Sequence, residues 1–444
     1  MTLLAGEWCV SYSGSVKRPH PIPHATKLAV VAVLSLLPPS SVVRRAAAAE
    51  SATALTNLVV ETNFPSGSGK VIEINQDERL IKLEPSSHEG RGWACWWYVR
   101  VSGFEAGETI SLQVGRAPWA TPERAAFSSD GETWRQTAAG ERNGAWITYR
   151  HKVDAPVAWF AWGPPFTPRD SEELIHFATA ANSQAARYEL CKTRDGRIVP
   201  ALKIGSDDGS GTAGVWIQAR QHAWESGSSW VCRGLVEWLV SEHPRAVQLR
   251  EKAIVSIVPV MDIDSVAIGA GGKDQTPHDH NRDWTDQPHW PAVAAAMKEI
   301  AQRNQNHKLD LFIDLHNPGA STTRPFFYVP PRKLLSAKRE RNLERFLATA
   351  RAEITGPLPF VGETRESGAG YDKRWQAISK NWVTMNTQEH VVATTLETAW
   401  NTEHSTTDGY RSVGQQLGLA IERYLRFNPR DEIAQETKPG QHER

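Results

Sequence analysis

The chain has 444 residues, with 50 Lys and Arg against 50 Asp and Glu, 40% apolar residues, 32 Gly and 18 Trp. At roughly 100–200 residues per domain this length supports two domains, three at most, and the ordinary apolar share without a glycine period excludes disordered and collagen-like chains. A net charge of zero gives no electrostatic case for nucleic acid or an anionic membrane as the main partner, which leaves a small molecule or a peptide. The high tryptophan count fits large core side chains, or an aromatic binding surface.

Along the chain, the first segment reads as a leader. The apolar run over 28–37 follows Lys17, Arg18 and Lys27 and precedes Pro38, Pro39 and the alanines at 46–49. It is too short to span a bilayer, which takes about 20 residues, yet it suits a secretory signal. Residues 1–48 are therefore expected to be removed, giving an exported protein with no stable membrane insertion; if the leader does not function, the protein is cytoplasmic. Loss of the leader leaves Cys95, Cys191 and Cys232, too few for a disulfide framework, and buried free thiols are the expectation.

Residues 49–168 break into short β-rich runs, KVIEINQ, RLIKLEP, WACWWYVRVSGF, ETISLQVG, AWITYRHKV and APVAWFAWGPP, separated by turn signals such as Asp130-Gly131. In the third run Trp93, Cys95, Trp97, Val99 and Val101 share one parity, the signature of a half-buried strand. An antiparallel β-sandwich is expected here. From 169 to 428 apolar strand-like runs alternate with helical ones: GVWIQAR, a helix near 228–243, AIVSIVPVM, a helix near 291–303, LDLFIDLH, a helix near 337–354, VVATTLETAW and a last helix near 412–427. Asp195-Gly196 marks a hairpin turn before them. That alternation predicts an α/β domain with a mixed sheet. Residues 429–444 read as a charged, solvated tail.

Sites in open α/β sheets form beyond the carboxyl ends of strands. Three predicted strands end in groups that bind metals or move protons: GVWIQAR runs into His222 and Glu225, LDLFIDL into His316, and VVATTL into Glu397. A lone His-x-x-Glu is a weak signal, and His222 by itself reads equally as a polar strand-end residue. The coincidence of three such ends matches the needs of one catalytic Zn²⁺ ion, held by two imidazoles and a carboxylate with a position left for water. Glu397 is then available to take a proton from that water. Between these ends, Asn281 and Arg282 offer a neutral donor and a charged fork for a substrate carboxylate. Asp279 is placed to orient a ligand imidazole, and Lys273 to stabilise an oxyanion. Each of these residues reads otherwise as a loop charge in water.

The order His222-x-x-Glu225, Asn281-Arg282, His316, Glu397 resembles the zinc metallocarboxypeptidases related to carboxypeptidase A, over about residues 175–427. The segment before it, with WWYVRVSG, AFSSDGETW and WFAWGPPFTP, is similar to the β-sandwich that precedes the catalytic domain in the cytosolic-carboxypeptidase branch. The resemblance implies hydrolysis of peptide or protein C-termini, with His222, Glu225 and His316 as zinc ligands and Glu397 as general base and then acid. It implies Asn281 and Arg282 as the terminal-carboxylate clamp and Asp279 as the partner of His222. Two positions depart from the family pattern: Met261-Asp262-Ile263-Asp264 replaces an Asn-Pro-Asp-Gly, and Lys273 stands where an Arg polarises the scissile carbonyl. Tyr371, on a glycine-flanked loop, is the candidate for the family's mobile tyrosine. The branch favours acidic C-terminal residues; Lys373 and Arg374 are the nearest basic candidates for such a pocket, with Arg324 and Arg365 beside them, and all four read equally as solvent-facing. Two other functions stay open: a zinc amidase or N-deacylase on the same scaffold, and a non-catalytic protein whose Trp-rich sandwich binds glycans or proteins.

Overall fold

A computed structural model of the chain describes residues 56–431, except 116, 118–120 and 207–211. The leader expected over 1–48 and residues 432–444 of the expected tail lie outside the described residues.

The first half is built from short strands: β1 (Val59–Glu61), β2 (Lys70–Asn75), β3 (Leu80–Glu84), β4 (Tyr98–Ser102), β5 (Thr109–Gly115), β6 (Ala126–Ser128), β7 (Arg135–Gln136), β8 (Glu141–Asn143), β9 (Trp146–Lys152) and β10 (Val157–Ala161). They form two five-stranded sheets, ordered β1-β4-β10-β6-β7 and β2-β3-β5-β9-β8. Alternate side chains point inward, as the period of a pleated strand requires: Ile81 and Leu83, Ile110, Leu112 and Val114, and Ile147 and Tyr149 are all buried. Pairing is antiparallel except between β3 and β5. After β3 the chain crosses to give β4 to the other sheet and returns as β5 in its original direction.

The period-2 pattern expected to make a strand from Trp93 does not. Strand β4 starts only at Tyr98, and residues 93–95 turn. Their backbone is committed elsewhere: the Trp93 amide donates to the Lys273 carbonyl at 2.9 Å, and the Gly272 amide to the Arg91 carbonyl at 2.9 Å. Gly92 sits at φ +82° against Lys273, where an added Cβ would fall 2.1 Å from the carbonyl oxygen, so only glycine allows this approach.

The second half is α/β. Helix α1 (Pro168–Ala181) is followed by strands β11 (Ala185–Lys192), β12 (Ile198–Ile204) and β13 (Ala213–Ala219) and helices α2 (Ser226–Leu239) and α3 (Pro244–Lys252). Next come β14 (Ala253–Val258), α4 (Ile263–Ala267), α5 (Pro291–Gln305), β15 (Leu311–His316), β16 (Phe326–Val329), α6 (Ala337–Glu353), β17 (Thr364–Glu366), α7 (Ser379–Asn386), β18 (Val392–Glu397) and α8 (Thr407–Leu425). One eight-stranded mixed sheet runs β11-β12-β14-β13-β15-β18-β16-β17, with the hairpin β11–β12 at one edge. Its parallel centre, β14, β13, β15 and β18, is buried on both faces, which is why these strands read as continuous apolar runs.

The helices expected near 228, 291, 337 and 412 are present as α2, α5, α6 and α8. Helices α1, α3, α4 and α7 carry no expectation from the sequence, although α1 begins with a complete capping box between Thr167 and Asp170 and a proline in its first turn. Of the polar end expected from 429, Arg430 is engaged: its guanidinium binds Asp310, the residue before β15, at 2.7 Å. Cys95, Cys191 and Cys232 are free thiols. No helix among the described residues is long and apolar enough to cross a membrane.

Candidate metal and catalytic site

Strands β15 and β18 lie side by side in parallel register with His316 opposite Glu397, and β13 on the other flank of β15 leads directly into the turn bearing His222 and Glu225. The sheet therefore delivers all four residues to one end. His222, Glu225 and His316 are buried, and their candidate ligand atoms lie within 4.8 Å of one another. Both imidazoles present Nδ1 to the carboxylate: His222 Nδ1 is 2.7 Å from Glu225 Oε1 and His316 Nδ1 is 2.7 Å from Glu225 Oε2. Burial alone would raise Glu225, but the two imidazoles pull its carboxyl down to about 2. Burial would lower His316, but Asp314 and Glu225 hold it well above its usual value.

This donor set fits zinc in number and kind, and the far nitrogens of both rings are already held. His222 Nε2 lies 3.4 Å from Asp279 Oδ1 and 3.3 Å from Lys273 Nζ. His316 Nε2 lies 3.0 Å from Asp314 Oδ2, a fully buried oxygen that also takes hydrogen bonds from Gln221 Nε2 and Ser379 Oγ. Asp314 is absent from the sequence-derived set. It sits two residues before His316 in an apolar strand, and a lone carboxylate in a doubly buried strand requires partners, which was the available signal.

The other predicted residues converge on the same end in different states. Glu397 is buried, and its Oε2 has no hydrogen-bond partner among the described residues. Burial, reinforced by Glu225 and Asp314 and opposed by His316, pushes its carboxyl up to about 8. Lys273 is bound to Asp279 Oδ2 at 3.2 Å as well as to His222, so it is a paired group at the cavity edge. Asp279 is almost fully buried; Lys273 and His222 overcome that burial and keep it well below the usual carboxylate range. Asn281 accepts from the Ser379 amide and brings Nδ2 to 3.4 Å from His316 Nε2. Arg282 Nε donates to Asp372 at 2.8 Å, and its guanidinium lies 5.7 Å from the Tyr371 ring. Tyr371 is 48% exposed and packs against Tyr328 with ring centroids 5.1 Å apart. Asp262 and Asp264 stay outside the site: Asp262 caps α4, and Asp264 binds Thr193 and Arg197.

A cavity of about 270 Å³ opens on these groups. It is lined by His222, Glu225 and Glu397, by Lys273, Tyr328, Tyr371 and Arg365, and by three tryptophans, Trp93, Trp162 and Trp224. Of the four basic residues considered for a specificity pocket, Lys373 and Arg324 are exposed, Arg374 turns to His278, and Arg365 lines the cavity but is bound to Glu363 at 2.7 Å. A different lysine is buried nearby. Lys380, 1% exposed, places its ammonium on Ser367 Oγ and 5.7 Å from the Tyr328 ring, and no carboxylate among the described residues pairs with it. Burial, with Arg282 nearby, pushes Lys380 down to about 7.

A set of two imidazoles and a carboxylate beyond parallel strand ends, with a further carboxylate beside it, defines a metallohydrolase. The comparisons with known proteins narrow that class, and the chain belongs to the zinc carboxypeptidase family. Residues 171–417 match the zinc carboxypeptidase domain, and residues 60–162 match the cytosolic carboxypeptidase N-terminal domain. Among relatives, Cytosolic carboxypeptidase 6 of Caenorhabditis elegans is 31% identical over 320 residues, covering 66% of this chain and 68% of the relative. Cytosolic carboxypeptidase 1 of Gallus gallus is 26% identical over 277 residues, 51% of this chain; the match spans only 22% of that relative's length. A crystal structure of a metallo-carboxypeptidase from Burkholderia cenocepacia shares the fold, with TM-score 0.71 at 20% identity over 83% of this chain and 99% of the other.

Proposed function

We propose that this metallopeptidase removes C-terminal residues from peptides or proteins, with one Zn²⁺ held by His222, Glu225 and His316. The observation that carries the reading is Glu397, a buried carboxylate with an unpartnered oxygen, standing in register beside His316 at the mouth of the ligand set. Zinc, when bound, lowers the pKa of water toward about 7 and polarises a carbonyl. The charge of a bound cation would favour the ionised form of Glu397, which burial alone disfavours, and in that form Glu397 accepts the proton of the attacking water and returns it to the leaving amine. Arg282, turned from Asp372 toward the ligand, and Asn281 hold the terminal carboxylate. Lys273 supplies positive charge beside the scissile carbonyl, as a point charge rather than a fork. Tyr371, half-exposed on its loop, closes over the terminal residue. The buried ammonium of Lys380, rather than Lys373 or Arg374, supports a preference for Glu or Asp at the C-terminus.

Peptides with a free C-terminus are expected to be cleaved and their C-terminal amides spared, with activity lost to a chelator and restored by zinc. Equal cleavage of the amides would reject the clamp. Faster turnover of N-acyl amino acids than of peptides would favour the deacylase instead.

Asp314 acts in this reading by fixing the His316 tautomer that leaves Nδ1 for the metal. Asp314→Asn is expected to weaken zinc retention by about 10–100-fold, measured by competition with a chromogenic chelator. Unchanged retention would remove Asp314 from that role.

Location is tested directly. If the leader operates, protein recovered from outside the cytoplasm begins beyond residue 48; intact Met1 on protein confined to the cytoplasm overturns the export reading and agrees with the cytosolic relatives.

A further inference from the structure

The side chains lining the catalytic cavity include two groups, each joined by its own contacts, that differ in chemistry and in origin. One holds Tyr328 and Tyr371, with Arg282 and Lys380 close to their rings. The other is aromatic and joins both halves of the chain: Trp93 from the turn before β4, Trp162 from the residue after β10, and Trp224 from the ligand turn. Trp162 and Trp224 meet edge to face with centroids 5.4 Å apart, and Trp224 stacks on Trp400 at 5.8 Å. This tryptophan wall is tied to the chemistry by backbone bonds. The Trp224 amide donates to the Gly271 carbonyl at 3.0 Å, and the Trp93 amide to the carbonyl of Lys273 itself.

We propose that this wall is a subsite for the side chain on the N-terminal side of the scissile bond, that it takes aromatic or large apolar side chains, and that the β-sandwich thereby selects substrates. The inference rests on the assignment of Arg282 as the terminal-carboxylate clamp. Only one residue separates that clamp from the bond to be cut. With the terminal residue held by Arg282 and Tyr371, the tryptophans are lining side chains that neither the clamp nor the ligand set uses, and they can meet the residue before the scissile bond. Indole rings offer a broad apolar contact and edge-to-face partners for another ring. A carboxylate side chain placed there gives up hydration against apolar ring surface, and Lys273, a cation on the same lining, is already paired with Asp279. Trp162, Trp224 and Trp400 are each at most 5% exposed, so the back of the wall is rigid, while the half-buried Trp93 forms its accessible rim.

The test uses the full, zinc-loaded protein and a peptide series with one fixed C-terminal residue and Phe, Leu, Ala, Gly or Glu before it. Expected is a kcat/KM for Phe about 10-fold or more above that for Gly, with Glu lowest. In Trp93→Ala the Phe-to-Gly ratio is expected to fall to about 2, and Trp93→Phe to restore most of it. A flat series in an active wild-type enzyme overturns the subsite while leaving the peptidase reading intact. A ratio unchanged in Trp93→Ala overturns the sandwich's part in it. Failure to cleave any member of the series overturns the peptidase reading on which the subsite depends.

Discussion

Glu397→Gln is expected to lower kcat by about 10³-fold while zinc content and KM change little. The amide keeps the size of the side chain and one acceptor oxygen but cannot take a proton. The register of β15 against β18 sets Glu397 opposite His316, and it lies outside the three-residue ligand set, so its replacement leaves that set complete. Steady-state kinetics on protein of measured metal content check the claim. A variant that loses zinc together with activity would place Glu397 among the ligands, and a variant that keeps full activity would remove it from the chemistry.

Lys380→Met is expected to reduce the preference for a C-terminal Glu over Leu by about 10²-fold, acting on the ratio of kcat/KM values rather than on turnover of Leu-ended peptides. Removing one partner of a desolvated charge pair costs about this much in other complexes. The wild-type ratio also depends on pH, with a sign fixed by the amine. Lys380 titrates near 7 in the free protein because burial and Arg282 disfavour its charge. Below that pH it is an ammonium and attracts a carboxylate side chain; above it the neutral amine does not. The Glu-to-Leu ratio is therefore expected to be highest below about pH 7 and to fall as pH rises through it, and taking the ratio cancels groups common to both substrates. A pH-independent ratio, or one that survives Lys380→Met, would move acid recognition to another residue, with Arg365 the next candidate at the cavity wall.

The parts of the site visible in the sequence are those carried by the parallel centre of the sheet. An apolar run that ends in His316 or Glu397 announces both a buried strand and a polar group at its carboxyl end, so the run and the site read together. Lys380 escaped because α7 is short, lacks a side-chain cap, and shows no apolar period; a lysine in such a stretch looks like surface. The turn at Trp93 misled for the opposite reason. The alternation does not carry into burial: Cys95, Trp96, Trp97, Tyr98 and Val99 are all buried, and the backbone of Arg91 and Trp93 is bonded to Gly272 and Lys273 instead of to a strand partner.

The exchange of backbone bonds between Arg91–Trp93 and Gly272–Lys273 bears on how this protein can be divided. A fragment that starts at α1 would keep every proposed ligand, yet its lysine-bearing loop would lose two main-chain partners and two of the three tryptophans lining the cavity, Trp93 and Trp162, would be gone. Modular exchange of the front half is thus limited to replacements that preserve a glycine-hinged finger of the same reach.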